Sequence, residues 1–392
     1  MGRHRTSTGL FAISVSALLL TLAVVAGCAP GDPAPTDTPA DAPVPLEPAP
    51  TPEKATIEDN TWNGSPVVGE TLSMAPYLAP LTHENTKTHE IRIDTLAVEA
   101  QAGPGTYYTA WTFGGSVPGP VLHVREGDTV QYTGANRSNE AIHPYSLFRQ
   151  YPESSPFARR TGDLNPLDAM PALAPAAHAV DFHAALVAPD RVWRSWAPGE
   201  AIRLAWTAHY PGVFSYHNSM PSRTMNIGLG MHGVVVVSPR EGYPTDEEIA
   251  RSYVIVRSEL YLDENNRWDH GAAVAGTPSQ VVLNGRANLL HDYPLVASRG
   301  ERIRLYVINQ GPNKRAAFHI TGIVFDRIWL GGVPANEMRG LQSVDLAPSE
   351  SAVVEFVAPA DGRYTLLFGR MSDEERGADG TLVVQTGQQG TI

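Results

Sequence analysis

The chain predicts an all-β protein made of two consecutive Greek-key β-sandwich domains, and three observations carry that expectation. Short apolar or alternating segments recur from about Ile91 onward, among them IRIDTLAVEA, TYYTAWTF, VLHVREGDTVQYTG, AIRLAWTA, GVFSYH and GVVVVSP. Each is flanked by Gly, Pro, Asn or Asp, which is the punctuation of antiparallel strands rather than of strand–helix–strand units. The rhythm then restarts with SYVIVRSELYL, SQVVLNG, ERIRLYVINQG, AFHITGIVFDRIWL, SAVVEFVAP and GRYTLLF. Finally, PGEAIRLAWTAHYPGVFSYH and PSESAVVEFVAPADGRYTLLF share one plan: a turn, an alternating strand, Pro and Gly, then an aromatic strand. Two sandwiches fit that duplication.

In chain order, Arg3, His4 and Arg5 precede an apolar run from about Leu10 to Val25 that ends in Val25-Ala26-Gly27-Cys28. A basic start, a run short for a membrane span and small residues before a cysteine have the layout of a lipoprotein export signal. Residues 1–27 are expected to be the signal peptide, with Cys28 lipidated and the mature chain held at the outer face of a bacterial membrane. Residues 28–60, rich in Pro, Ala, Asp and Thr, bring too little apolar surface to offset ordering entropy and read as a tether. The first domain is expected over 88–241 and the second over 248–386, with TDEEIARS (245–252) linking them. Residues 132–177 break the first domain's rhythm with prolines and scattered polar groups, as a long inserted loop or lid does.

Composition excludes several classes of function. Cys28 is the single cysteine, so with lipid on its sulfur the mature chain has no disulfide, iron–sulfur cluster, zinc knuckle or thiolate nucleophile. A formal net charge of −12 argues against nucleic acid as a partner, because a phosphate backbone requires a basic surface.

Histidines supply the candidate chemistry. The richest cluster is His178-Ala-Val-Asp181-Phe182-His183, followed by Gly212-Val-Phe-Ser-Tyr-His217-Asn218 and, in the second domain, Phe318-His319-Ile-Thr-Gly322. Strand alternation places Asp181 and His183 on one face and His178 on the other. A lone histidine is more often a surface or hydrogen-bonded residue than a ligand. Several on facing strands with an aspartate between them point to a metal.

In order and spacing, TFGGSVPGPVLHVREGD, HAVDFHAA, PGVFSYH, GMHGVVVVSPREGYP, VVLNG and FHITGIVFDRIWLGG make the chain from about Ile91 to Val384 resemble the copper-containing nitrite reductases. That resemblance implies two cupredoxin domains and one-electron reduction of nitrite to nitric oxide at a type-2 copper. It also implies a homotrimer, with each active site between domain one of one subunit and domain two of the next. Of the family's blue-copper ligands, His178 and Met231 match the first histidine and the methionine. Asn218 stands at the cysteine and Asn226 at the second histidine; neither amide supplies thiolate or imidazole, so no blue copper is expected. His183 and His217 match two of the three type-2 histidines, and the third position falls on Gly369. A replacement ligand is sought in water, in His143, or in Asp373, Glu374 or Glu375, and two histidines with one carboxylate would resemble a facial triad for iron more than a copper site. Asp181 and His319 match the pair that hands protons to nitrite, catalytic roles suited to a carboxylate and an imidazole. The electron donor is not identified, because His217-Asn218 keeps the neighbour of the family's Cys–His wire and loses the wire.

The rival reading is a non-catalytic extracellular cupredoxin scaffold for metal sequestration or partner binding, in which His183 and His217 are replaceable without loss of an activity. A laccase-type multicopper oxidase needs His-x-His pairs, and the sequence has none. Trp193, Trp196 and Trp206 are read as core or interface aromatics, and Asp373-Glu374-Glu375-Arg376 as a solvated turn.

Overall fold

The computed structural model describes residues 53–56, 71–73, 75–78, 80–81, 84–139, 143–144, 176–188 and 194–387. The expected export signal, Cys28, most of the tether, most of the inserted loop and Trp193 lie outside the described residues. Among those described, no helix is long and apolar enough to cross a membrane.

The first half forms a sandwich of short sheets. A five-stranded sheet runs in the order Leu72–Ser73, Val121–Arg125, His232–Ser238, Gly212–His217 and Asp181–Phe182. Opposite it stand a four-stranded sheet, ordered Glu53–Thr56, Glu200–Thr207, Thr129–Ala135 and Thr88–Arg92, and a three-stranded one, ordered Thr106–Phe113, Thr95–Gly103 and His143–Pro144. Their inward residues, including Leu122, Val235, Tyr216, Val98, Tyr108, Tyr132 and Ile202, share one core.

The second half pairs a six-stranded sheet, ordered Gln280–Leu283, Ile249–Leu260, Arg302–Asn309, Ser351–Val357, Arg327–Leu330 and Glu337–Met338, with a five-stranded one, ordered Leu295–Ala297, Asp379–Val384, Gly362–Gly369, Ala316–Ile320 and Ser343–Leu346. Ile255, Leu305, Val354, Phe318, Phe368 and Leu382 fill the space between them. The shared sequence plan has a structural counterpart. Strands Glu200–Thr207 and Gly212–His217 lie in different sheets of the first sandwich, as Ser351–Val357 and Gly362–Gly369 do in the second.

Strand His232–Ser238 reads as an unbroken apolar run because both of its faces are covered. Val235 and Val237 enter the first core, whereas Val234 and Val236 join Val121, Val213, Val254, Val256, Ile308, Trp329 and Val353 in a separate layer between the two sandwiches. Polar contacts stitch that layer: Ser215 Oγ donates to Gln310 Oε1 at 2.9 Å, and Gln310 Nε2 donates to the Gly233 carbonyl at 2.7 Å.

Two sequence boundaries move. The interruption expected from residue 132 begins later, because Tyr132, whose hydroxyl donates to the Ile93 carbonyl at 2.9 Å, and Ala135 belong to strand Thr129–Ala135. The expected link at 245–252 shrinks to a single 3-10 turn, Asp246–Glu248, before strand Ile249–Leu260 begins. Trp196 and Trp206 are buried in the first core, as read from the sequence.

Candidate metal centre

His217 closes strand Gly212–His217, and the register of its antiparallel pairing sets it directly opposite Asp181 and sets Tyr216 opposite Phe182. Alternation then sends Phe182 and Tyr216 into the core, their ring centroids 5.3 Å apart, and leaves His217 and Asp181 side by side on the other face. His183 reaches that face by a different route from the one alternation suggests. The strand ends at Phe182, and a 3-10 turn, His183–Ala185, closed by Leu186 at φ 51°, folds the imidazole back. Its Nε2 comes to 3.0 Å from His217 Nε2, with the rings edge-on at 81°. Asp181 Oδ2 stands 3.7 Å from His183 Nε2, and the ligand atoms of all three residues lie within 4.8 Å of one another. His217 is buried, while Asp181 and His183 are partly open to solvent. The Nδ1–H of His217 donates to the Asn218 carbonyl at 3.1 Å, which leaves Nε2 with a free lone pair facing His183. Burial, reinforced by the neighbouring His183, lowers the His217 pKa and keeps the ring neutral, the form that binds metal.

Behind His217, the four residues expected at the blue-copper position gather without forming a metal site. Asn218, fully buried, donates from its amide nitrogen to His178 Nδ1 at 2.9 Å and to Met231 Sδ at 3.1 Å. Its oxygen accepts from the backbone of Ala179 at 3.3 Å and of Met220 at 2.9 Å. Asn226 Nδ2 donates to the Met220 carbonyl at 3.1 Å, and the Asn226 carbonyl takes the Met231 N–H at 2.9 Å. The imidazole nitrogen and the thioether that would face an ion are thus occupied by one amide. His178, expected among the metal ligands, stands apart from the Asp181, His183 and His217 group. Burial lowers its pKa to about 4, so the ring is neutral at physiological pH.

The second domain carries the remaining expected positions. His319, on strand Ala316–Ile320, pairs with Leu367, and Ala317 pairs with Gly369. Phe318 and Phe368 point into the core, so His319 and position 369 share the opposite face. Within the chain, His319 is not among the residues converging on the His183–His217 pair. The space a side chain at 369 would need is taken: a Cβ there would lie 2.9 Å from Asp373 Cβ and 3.0 Å from its Oδ2. Asp373, read from the sequence as part of a solvated turn, is fully buried in the short helix Met371–Glu374. The guanidiniums of Arg370, at 2.8 Å, and of Arg257, itself fully buried, at 3.4 Å hold it there. Burial alone would raise the Asp373 pKa, but the bonds from Arg370 and the charge of Arg257 outweigh it and keep the carboxylate ionised. Glu374 and Glu375 are exposed. The one signal in the sequence was Arg370 three residues before Asp373, a spacing that lets the pair meet across a helical turn.

No family model matches the chain. Over 312 residues, 77% of this chain and 70% of the other, it is 30% identical to the copper-containing nitrite reductase of Neisseria gonorrhoeae. It belongs to the copper-containing nitrite reductase family. Among solved structures, the copper nitrite reductase of Nitrosomonas europaea superposes with a TM-score of 0.62 at 28% identity, covering 77% of this chain and 95% of that one. The enzyme of Thermus scotoductus SA-01 does so with a TM-score of 0.63 at 26% identity, covering 77% and 63%.

Copper fits the two places in this family member differently. At Asn218 it does not fit: the thiolate is absent, and the lone pairs of His178 and Met231 already accept the amide's hydrogens. At His183 and His217 the residues do fit. The observed 3.0 Å is a hydrogen-bond separation that also falls within the roughly 2.9–3.3 Å spanned by two imidazole nitrogens sharing one ion.

Proposed function

We propose that this protein is an exported, lipid-anchored copper protein that reduces nitrite, or another small oxidised anion, by one electron at the His183–His217 site without a blue-copper relay. The convergence of the two Nε2 atoms at 3.0 Å beside Asp181 carries the reading. The family reaction takes one electron and two protons per nitrite and yields nitric oxide and water, which balances in atoms and charge. Copper, when bound, supplies the electron and a Lewis-acid anchor for the anion. The chain's own contribution is orientation and protons. The Asn218 carbonyl fixes the His217 tautomer, and Asp181 offers a partly solvated carboxylate at the rim of the site that can relay a proton from solvent to a substrate oxygen. His319 lies on the outer face of the second sandwich; a homotrimer that sets domain two of one subunit against domain one of the next would bring it to the same substrate. With Asn218 in place of the thiolate, the electron arrives directly from an external one-electron donor.

The non-catalytic scaffold has one specific observation in its favour, the amide that closes the former blue-copper position. Copper loading of the full chain, beside a His183→Ala/His217→Ala variant, separates the readings. About one copper per chain, no intense blue absorption, loss of the metal in the variant and nitric oxide formed from nitrite with a reductant would support the enzyme. Copper bound at the two histidines with no turnover would leave sequestration, and copper indifferent to both would remove the site altogether.

A further inference from the structure

We propose that the metal site is complete within a single chain, with Asp181 as its third protein ligand beside His183 and His217. The inference rests on the metal-binding half of the function proposed above and replaces the family's arrangement, in which the third ligand comes from another subunit.

Three observations carry it. The first is the loss of the family's third imidazole. The strand end that would present a third imidazole carries Gly369, and Asp373 fills the space beside it, buried and held by Arg257 and Arg370. Neither the missing side chain nor Asp373 itself can be offered outward to a neighbour, because freeing Asp373 would strand the fully buried Arg257 with one carboxylate fewer.

The second is the position of Asp181. It is the register partner of His217, so backbone pairing rather than a flexible loop holds its side chain on the ligand face. Its Oδ2 already lies 3.7 Å from His183 Nε2. At that distance the contact with His183 is an ion pair and not a hydrogen bond, so coordination by Oδ2 would break no bond between the two. Ligation through Oδ2 leaves Oδ1 free to accept a hydrogen bond from a water beside the ion, so a ligated Asp181 orients a proton donor and the proton itself comes from solvent.

The third is the confrontation of the two imidazoles. His217 Nε2 bears a lone pair, since its Nδ1–H is committed to the Asn218 carbonyl. At 3.0 Å from it, His183 Nε2 must bring either a proton or a shared cation. Asp181 beside that contact would complement the charge of a shared cation. Two imidazoles and one carboxylate on one face, with the remaining positions open to solvent, form a donor set that takes Cu(II), Zn(II) or Fe(II).

The test titrates Cu(II) into the full chain in detergent, against a competing chromophoric chelator, for the native protein, Asp181→Asn and His183→Ala/His217→Ala. Spin-resonance spectra count the nitrogens coupled to the copper. The expected result is coupling to two nitrogens, an affinity at least about tenfold lower in Asp181→Asn, and no specific binding in the double variant. Native-like thermal unfolding of Asp181→Asn without metal would show that the loss is one of ligation. Coupling to three nitrogens, or unchanged affinity in Asp181→Asn, would overturn the single-chain site while leaving copper at the two histidines intact. Binding unaffected by loss of both histidines would remove the proposal together with the reading on which it rests.

Discussion

Asn218 does with two N–H bonds what a metal ion would otherwise do: it joins His178 to Met231. It also anchors the backbone at Ala179 and Met220, so the residue is structural and its removal is costly. Asn218→Ala would leave His178 Nδ1 and two backbone N–H groups without partners in a buried place, and it is expected to lower stability by about 2–4 kcal/mol, measured as a shift in the urea unfolding midpoint at constant slope. His178 adds a pH dependence. Burial holds its folded pKa at about 4, against about 6.5 in the unfolded chain. Between those values the unfolded state binds a proton that the native state refuses. The stability is fully present above about pH 6.5 and is lost as pH falls toward 4, by up to about 3 kcal/mol for this one group. His178→Gln, which cannot titrate, should flatten that part of a stability-against-pH curve; an unchanged slope would mean that the native ring protonates freely. The identity of these positions was legible in the sequence because each sits at a fixed offset within a short motif. The bond from Asn218 to both His178 and Met231 was not, since it depends on three separate segments meeting.

At the scale of elements, what could be read in advance was whatever has a period. Alternating segments became strands at nearly the expected places, and the run GVVVV became the strand covered on both faces. What could not be read was where a strand stops. HAVDFHAA carries no Gly or Pro after Phe182, yet the chain turns at His183, and that turn makes the Nε2–Nε2 contact. The helix Met371–Glu374 hid in the same way, because four residues are too few for a hydrophobic period. Its function is to lower Asp373 over Gly369 and against Arg257, which Glu259 at 3.0 Å and Asn309 at 2.9 Å also hold. Asp373→Ala therefore leaves a buried guanidinium with one of its two carboxylates and is expected to cost about 3 kcal/mol. Gly369→His, the change that would restore the family's third ligand, meets Asp373 at 2.9 Å. It should lower the melting temperature without adding a third nitrogen to the copper spectrum. A stable Gly369→His protein with three coupled nitrogens would show that the helix yields.

Across the whole molecule, a valine-rich layer packs between the two sandwiches, and the Asp181, His183 and His217 group lies within the first of them. In the proposed reductase an electron must reach the candidate site without a thiolate relay, and charge decides which donors approach fastest. The chain carries a formal net charge of −12, enough to bias diffusional encounter with a small charged reductant well before contact. In the single chain His183 and Asp181 are partly solvent-exposed, which gives a small donor direct access to the site. Reduction of the copper-loaded protein by a cationic one-electron mediator should then be fast at low ionic strength and slow as salt is added, because screening removes the attraction beyond a Debye length of about 10 Å at 0.1 M. An anionic mediator should show the opposite slope. Stopped-flow rates for both, followed from low to high salt, give the two slopes directly. Slopes of opposite sign would place electron entry under the field of the whole acidic chain, whereas equal slopes would mean that local groups at the entry point override it.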